Sequence, residues 1–423
     1  MKKLLLFLLI AQSALLMARE STMDSTRVGR GNQYAELPYR QQPLRITARS
    51  NNVTMNLVVH MDTDKPVNVY FDAYNSSDEL LCRYLLSTPG DMPDGDQEKR
   101  GFIIGDTTDL PYNPILDWLT LEEGEHLMSL NKGSYVLVYG ENPNGIGTGT
   151  FTRERHLTMN FQSGLVDISG NVMSLLYGDD PDVLDTAKYI PSPVCFARLF
   201  NHNNSNGGSD AIIPDLTAGP VDASNLILPA DTLTEACYDR MFNSCNLLTA
   251  MPELPATVGG KYSYLQMFGG CVGLKEGTVV SMQEGLSNSS WHMFHECSGL
   301  ETAPDLLAVA PSAGMFSGMF TGCTSLNKVR VQFAEWNDAC SGWLPNVPEV
   351  GTFICPSALE QLVGESNIPE GWVVELDDNI HTDLPIHQFT NLPIQQSSKF
   401  LHNGRVLIER NGICYDVHGA RVK

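Results

Sequence analysis

Two histidines and a glutamate lie close together in the chain, at His292, His295 and Glu296. These side chains can bind zinc or transfer protons. The helical zinc motif His-Glu-x-x-His places its histidines four positions apart and a glutamate directly after the first. Here the histidines are three positions apart, and the glutamate follows the second. The spacing therefore predicts neither a metal site nor a catalytic centre at this segment.

Two acidic clusters could supply oxygen ligands to calcium. One contains Asp179, Asp180, Asp182 and Asp185, and the other contains Asp91, Asp94 and Asp96. Neither cluster has the alternating spacing of an EF-hand loop. We therefore interpret both as acidic turns and expect no bound metal.

The common catalytic motifs are also absent from the sequence. There is no Gly-x-Ser-x-Gly nucleophile turn and no phosphate-binding Gly-x-x-x-x-Gly-Lys-Ser/Thr loop. A glycosidase needs two carboxylates about 5–10 Å apart, and no pattern selects such a pair from the 49 acidic residues. The sequence thus predicts a protein without enzymatic activity or a cofactor. The alternative is an extracellular glycan- or protein-hydrolase with an unrecognised site in residues 41–165.

A 26-residue repeat contains the two histidines. A Met-Phe pair begins the pattern, a cysteine follows the methionine by four positions, and a leucine follows the cysteine by three. The four copies are Met241-Phe242, Cys245 and Leu248; Met267-Phe268, Cys271 and Leu274; Met293-Phe294, Cys297 and Leu300; and Met319-Phe320, Cys323 and Leu326. A fixed period of this length predicts stacked units with one shared core.

The repeat register assigns both histidines to variable positions. The residues equivalent to His292 are Arg240, Gln266 and Gly318, and those equivalent to His295 are Asn243, Gly269 and Thr321. Positions that change chemistry from copy to copy are typical of a surface, so both histidines are expected to face solvent.

The chain contains ten cysteines, and four of them keep the repeat register. Cysteines in register with core residues are usually buried thiols that pack as small apolar groups. We therefore expect thiols at Cys245, Cys271, Cys297 and Cys323, rather than a disulfide ladder. No Cys-x-x-Cys pair occurs, which argues against a zinc knuckle or a redox pair.

The N-terminus predicts export from the cell. Lys2 and Lys3 precede an apolar segment at residues 4–17, and Ala18 is a plausible cleavage point, so residues 1–18 are expected to be a signal peptide. The first cysteine is Cys82, which excludes a lipoprotein anchor at the new N-terminus. No later segment predicts an integral membrane span. The protein is thus expected to be secreted or on the cell surface, and its net charge of −22 makes nucleic acid a poor partner.

The repeats resemble the BspA-type leucine-rich repeats of bacterial surface proteins. The motif Cys237-Tyr238-x-x-Met241-Phe242-x-x-Cys245 with Leu248 carries this resemblance, as does the segment 319–326. The resemblance covers about residues 165–375. It implies a leucine-rich solenoid and a role in adhesion or ligand binding at the cell surface. Residues 399–423 resemble, more weakly, the C-terminal sorting segments of exported proteins.

These observations predict a mixed β fold with short helical turns, in which an N-terminal β-sandwich is followed by a leucine-rich-repeat solenoid and a small C-terminal β tail. The expected divisions are a flexible arm (19–40), a β-sandwich-like domain (41–165), a connector (166–190), the solenoid (191–350), a C-terminal cap (351–375), a linker (376–397) and a β-hairpin tail that could serve as a sorting segment (398–423).

The expected function is binding by an exported, non-catalytic surface protein. Its ligand would be a protein or glycan of a host or neighbouring cell. The exposed, variable positions of the repeat strands predict the contact residues, which are Thr249, Met251, Glu253, Lys275, Glu301 and Asp305. The turn positions Arg240, Gln266 and His292 form a competing surface. A third possibility is a purely structural spacer.

Overall fold

The computed structural model describes residues 34, 36–60, 67–88, 103–104, 128–147, 156–202, 217–364, 367–378, 398–402, 405–410 and 413–415. The predicted signal peptide and most of the predicted arm and linker lie outside these residues. The chain divides into two compact units, Met1–Ile380 and His381–Lys423.

The first unit begins with a nine-stranded sheet. Its strands are β1 (Leu44–Ala48), β2 (Val53–His60), β3 (Val67–Tyr74), β4 (Leu80–Thr88), β5 (Ile103–Ile104), β6 (Met128–Leu130), β7 (Tyr135–Tyr139), β8 (His156–Asn171) and β9 (Ala218–Ile227). The order across the sheet is β5-β4-β3-β7-β1-β8-β2-β6, and β9 pairs with β8. All the pairs are antiparallel except β8 with β9.

Strand β8 explains how this sheet curls. Its first half pairs with β2, and its second half pairs with β1. An irregularity between Thr54 and Met55 shifts the register of β2 against β8, and such shifts bend a strand and increase its twist. The result is one curled, half-barrel-like antiparallel sheet. The predicted β-sandwich is therefore wrong. Alternating sequence identifies a buried face, but it does not distinguish one curled sheet from two packed sheets.

Two short helices lie between strands β8 and β9, α1 (Ser174–Tyr177) and α2 (Pro181–Thr186). The acidic cluster of Asp179, Asp180, Asp182 and Asp185 lies in this helical segment. The carboxylate of Asp180 accepts a hydrogen bond from the backbone N–H of Asp182 at 3.0 Å and caps α2. Asp185 pairs with Arg40 at 2.6 Å, and Asp179 accepts a hydrogen bond from the Tyr34 hydroxyl at 2.9 Å. These aspartates thus hold backbone and side chains in place.

The repeat region contains very short strands. They are β10 (Val258–Gly259), β11 (Val279–Val280), β12 (Glu284–Gly285), β13 (Asp305–Leu306), β14 (Lys328–Arg330), β15 (Thr352–Cys355) and β16 (Val373–Leu376). They pair in parallel as β10-β12, β11-β13 and β14-β15-β16. Single turns of 3-10 helix lie at Tyr39–Gln41, Asp338–Cys340 and Ser357–Leu359.

Hydrogen-bonded turns make up most of each repeat. We call residues 236–245, 262–271, 288–297 and 314–323 the turn stack. Its backbone N–H groups donate alternately within their own turn and to the next copy. For example, Met241 N donates to Tyr238 O at 3.2 Å, and Phe242 N donates to Met267 O at 2.8 Å. The alternation requires a positive φ at every fourth residue, as at Arg240 with φ 50°.

One hydrophobic core joins the curled sheet to the turn stack, with buried members from Leu44 to Trp372. The phenylalanine rings of the repeats lie in this core, 5.6, 5.4 and 5.8 Å apart between successive centroids from Phe242 to Phe320. The expected burial of the Met-Phe pairs is confirmed. The predicted leucine-rich-repeat solenoid following a separate sandwich is wrong, because the described strands form small separate sheets and the core is shared.

The repeat cysteines are confirmed as buried thiols. The nine described cysteines are all free, and eight of them are buried. The Sγ atoms of Cys271, Cys297 and Cys323 lie 3.1, 3.0 and 3.1 Å from the carbonyl oxygen of the phenylalanine 29 positions earlier. Each thiol thus donates to the backbone of the preceding copy and holds two copies together.

The second unit contains three antiparallel strands, β17 (Ser398–His402), β18 (Arg405–Arg410) and β19 (Ile413–Tyr415). They flank the two Asn-Gly pairs, Asn403-Gly404 and Asn411-Gly412, from which a β tail was predicted. The Asn-Gly pairs themselves lie outside the described residues.

Candidate binding surfaces

The strand side of the repeats contains the predicted contact residues. Thr249, Glu253, Lys275 and Glu301 are exposed there. The ammonium of Lys275 lies 3.5 Å from the carboxylate of Glu301, one period later, and both side chains are more than half exposed. An exposed pair of this kind contributes little to stability, so both charges remain accessible to a ligand.

Met251 does not belong to this surface. Its side chain is 2% exposed and packs in the core. The alternating pattern places Thr249, Met251 and Glu253 on one face of a regular strand, but no regular strand forms here. The backbone of this segment is irregular, and Met251 enters the core while Thr249, whose hydroxyl donates to the carbonyl of Val221 at 3.0 Å, stays outside.

Asp305 is held by a neighbouring arginine. The guanidinium of Arg330 lies 3.5 Å from the Asp305 carboxylate and also bonds Asp377. Both carboxylates are partly buried. This arrangement ties β13 and β14 to the segment that follows β16, so Asp305 has a structural role that the sequence did not indicate.

A second surface, formed by partly exposed side chains of the turn stack, has a different chemistry. We call Arg240, Tyr262, Gln266, Trp291 and His292 the turn-side patch. All five side chains are partly exposed. The guanidinium of Arg240 donates to the Gln266 amide oxygen, one period later, at 2.9 Å, and to the buried carboxylate of Asp239 at 2.8 Å. The competing surface expected from sequence thus consists of side chains that contact one another between copies.

Aromatic rings form the other end of the turn-side patch. The rings of Tyr262 and Trp291 are 6.0 Å apart, and the Trp291 indole meets the His292 imidazole edge-on at 4.9 Å. His292 stacks on His295 at 5.0 Å, and the ammonium of Lys261 lies 4.8 Å from the Tyr262 ring centroid. Sequence reasoning missed Tyr262 and Trp291 as surface residues. The sequence did contain a signal for Trp291. This tryptophan lies one position after the place where the repeat pattern has its aromatic residue, which is Tyr238 in the first copy.

Burial lowers the pKa of His292 to about 4, and the neighbouring His295 adds to this shift. His292 is therefore a neutral imidazole at pH 7, with one nitrogen that donates a hydrogen bond and one that accepts. His295 lies 4.0 Å from the carboxylate of Glu296. Within the described residues, no group of three or more His, Cys, Asp or Glu side chains could hold a metal ion.

Two carboxylates lie at paired positions on neighbouring strands of the sheet. Asp167 on β8 pairs in register with Asp222 on the parallel strand β9. Burial raises the pKa of Asp167, Arg49 at 3.3 Å opposes that rise, and Asp222 adds to it. Asp222 accepts hydrogen bonds from the backbone and hydroxyl of Ser224. Neighbouring strands are about 5 Å apart, close to the carboxylate separation of a retaining glycosidase.

The buried carboxylate of Asp72 is engaged by its neighbours. Arg83 binds both of its oxygens, at 2.6 and 2.5 Å, and the Tyr139 hydroxyl donates to one of them at 2.9 Å. This network lies among packed tyrosines on the far face of the curled sheet. It stabilises that face and leaves no oxygen for a substrate.

No helix within the described part of the chain is long and apolar enough to span a membrane. The sequence and the structure were also compared with known proteins: no model of a protein family, no curated protein and no solved structure matches the chain.

Proposed function

We propose that this chain is an exported, non-catalytic surface protein that binds a protein or glycan of another cell through the outer surface of its repeats. The observation that carries the proposal is a contrast between two sets of equivalent positions. The core position is always phenylalanine, from Phe242 to Phe320. The position two residues earlier, partly exposed in the first three copies and buried in the fourth, changes from Arg240 to Gln266, His292 and Gly318. A constant core that presents changing side chains is the general design of repeat proteins that bind macromolecules.

Export and a location at the cell surface are part of this proposal. They rest on the charged and apolar N-terminal segment and on the resemblance of the repeats to BspA-type surface proteins. Buried thiols rather than disulfides do not conflict with export, because the thiols lie in a packed core that oxidants do not reach.

An array of glycans and extracellular matrix proteins, probed with the purified full chain, tests the proposal directly. We expect saturable binding to at least one class, and no turnover of the bound ligand. Charge reversal on the strand side and aromatic removal on the turn-side patch then locate the site. If the full chain binds nothing on such arrays at micromolar concentration, the proposal fails.

The Asp167–Asp222 pair supports one alternative, a hydrolase acting on extracellular glycan. Its chemistry needs one protonated and one ionised carboxylate. The raised pKa of Asp167 favours the protonated form, which the general acid of such a pair requires. Asp167→Asn should abolish hydrolysis of a bound glycan if this alternative holds. Turnover that survives purification and disappears in Asp167→Asn would replace the binding proposal with an enzymatic one.

A further inference from the structure

The fourth copy of the turn stack has almost no side chains on its outer face. Where the third copy has Asn288 and His292, the fourth has Gly314 and Gly318. A Cβ on Gly314 would lie 2.2 Å from the Asn288 amide oxygen, and one on Gly318 would lie 2.4 Å from Nε2 of His292. The side chains of the third copy therefore extend over the backbone of the fourth.

This change of side-chain size makes a step on the surface. Trp291 and His292 form its rim, the partly exposed Ser317 forms its floor, and the buried Gly318 lies beneath the imidazole of His292. We call these four residues the turn-side ledge. The floor continues into the next turn, where the Ser317 hydroxyl donates to the carbonyl of the exposed Ser341 at 3.1 Å. Tyr262 lies on the other side of Trp291, with its ring centroid 6.0 Å away.

The chemistry of the ledge is aromatic, polar and uncharged. An indole offers a flat apolar face with a polar edge, and His292, neutral at pH 7, offers both a donor and an acceptor. The amide of Asn288 and the hydroxyl of Ser317 add further hydrogen-bonding groups. A pyranose ring needs this combination, because it has an apolar C–H face and a rim of hydroxyls that both donate and accept.

The charged groups near the rim and the floor include Lys261, whose ammonium lies 4.8 Å from the Tyr262 ring centroid, and two acidic residues. Glu296 lies beside His295, and the carbonyl of Asp338 accepts a hydrogen bond from the backbone of Gly314. The net charge of the whole chain is −22. Sulfated or sialylated glycans would be repelled by such a field, whereas neutral sugars would not.

We propose that the turn-side ledge is a binding subsite for a neutral glycan, with a hexose or N-acetylhexosamine ring stacked on Trp291 and hydrogen-bonded by His292 and Asn288. This inference deepens the proposed function and rests on it, since it names the ligand class and the surface.

The experiment measures binding of the full chain to a panel of neutral hexose and N-acetylhexosamine oligosaccharides, with sialylated and sulfated oligosaccharides beside them. Tryptophan fluorescence and calorimetry provide the readouts. The variants are Trp291→Ala, Trp291→Phe and His292→Gln, with Tyr189→Ala as the control, because Tyr189 is an aromatic residue outside both candidate surfaces and is 69% exposed. Glutamine is the residue of the second copy at the His292 position, so that variant retains a side chain that the repeat accommodates.

We expect neutral glycans to bind and acidic ones to bind more weakly. Trp291→Ala should weaken binding at least about tenfold, as for a central aromatic contact. Trp291→Phe should retain part of the affinity and lose the fluorescence change, and Tyr189→Ala should bind like the original chain. If Trp291→Ala is poorly folded, as judged by its melting temperature, Trp291→Phe and His292→Gln still test the subsite.

Three outcomes would overturn the inference. Affinity unchanged in both Trp291→Phe and His292→Gln would place the site elsewhere, and preferential binding of acidic glycans would refute the ligand class. Binding to matrix proteins alone would also refute it, but would leave the proposed function intact. Failure of the proposed function is distinct, because the full chain would then bind neither glycans nor proteins.

Discussion

The imidazole of His292 occupies the space in which Gly318, one 26-residue period later, would place a Cβ. That Cβ would lie 2.4 Å from Nε2 of His292. Gly318 also has φ 59°, a left-handed conformation that Gln266 and His292 share at the equivalent positions. Two features therefore favour glycine at position 318, the left-handed backbone and the space occupied by the His292 imidazole. Only the second feature distinguishes this copy from the others.

The two reasons can be separated by substitution. Gly318→Ala should lower the free energy of unfolding by roughly 2 kcal/mol, since strain of about 1–2 kcal/mol adds to displacement of the imidazole. Gly342→Ala is the matched control, because Gly342 has φ 57° and nothing within 4 Å of its Cβ position. It should cost only about 1 kcal/mol. Urea denaturation measures the free energy of unfolding of both variants. When Gly318→Ala is made in a chain that already carries His292→Ala, its additional cost should be close to the cost of Gly342→Ala in the original chain. Equal costs for the two single variants would contradict this account.

The stability of the fold should depend on the protonation of His292. Its ordinary pKa is 6.5, and its pKa in the fold is about 4, so between these values the unfolded chain binds a proton that the folded chain does not. This contribution to stability is complete above pH 6.5 and is lost as the pH falls toward 4. We expect His292→Gln to show a shallower loss of stability than the original chain between pH 7 and 4.5, as measured by urea denaturation. Parallel pH profiles for the two proteins would show that His292 makes no such contribution.

The sequence predicts the core of the repeats better than their architecture. A period of 26 residues identified the buried Met, Phe, Cys and Leu positions because burial constrains residue type in every copy. It did not reveal that these residues lie in turns with alternating backbone conformation, because the positive φ values fall on residues as different as Arg240, Gln266 and Gly318. The alternating patterns in the N-terminal half likewise predicted strands with one buried face. They did not predict that the sheet curls or that its core is shared with the repeats.

The candidate surfaces were predicted in part. Glu253, Lys275 and Glu301 are exposed as expected, whereas Met251 is buried and Asp305 is held by Arg330. Both failures depend on how neighbouring segments pack, which the periodicity of one segment does not specify. The aromatic rim at Trp291 depends on the absence of side chains in the following copy, so it becomes visible only when two copies are compared in three dimensions.

The stacked phenylalanines should carry much of the stability of the turn stack. Phe268 lies between Phe242 and Phe294, with centroid distances of 5.6 and 5.4 Å, and it is completely buried. Phe268→Ala should therefore cost about 3–5 kcal/mol. Leu286→Ala is the control, because Leu286 is 63% exposed and should change stability by less than about 0.5 kcal/mol. A cost below about 1 kcal/mol for Phe268→Ala, in a reversible melt, would refute a stacked core.

The repeat cysteines should react slowly with thiol reagents. Burial raises the pKa of Cys271 and Cys297 well above the ordinary value and that of Cys323 to about 12, so the reactive thiolate is almost absent at pH 8. Titration of the native protein should leave these thiols unmodified while the partly exposed Cys82 reacts, and denaturant should release all of them. Mass spectrometry that finds disulfides between adjacent copies would contradict the prediction.

The strand side offers the sharpest test of where binding occurs. Glu253 and Glu301 are exposed, and of the two only Glu301 has a charged partner there, Lys275 at 3.5 Å. Reversing either charge should change the free energy of unfolding by less than about 0.5 kcal/mol, because isolated surface substitutions usually do no more. Asp305→Lys should destabilise the fold instead, since it would leave Arg330 facing a second cation.

If the strand side binds the ligand, Glu253→Lys and Glu301→Lys will change affinity at an unchanged melting temperature, and Trp291→Phe will not. If the turn-side ledge binds it, the pattern will be reversed, because the two sets of variants change different residues. Affinity that no variant on either surface alters would exclude both as the binding site.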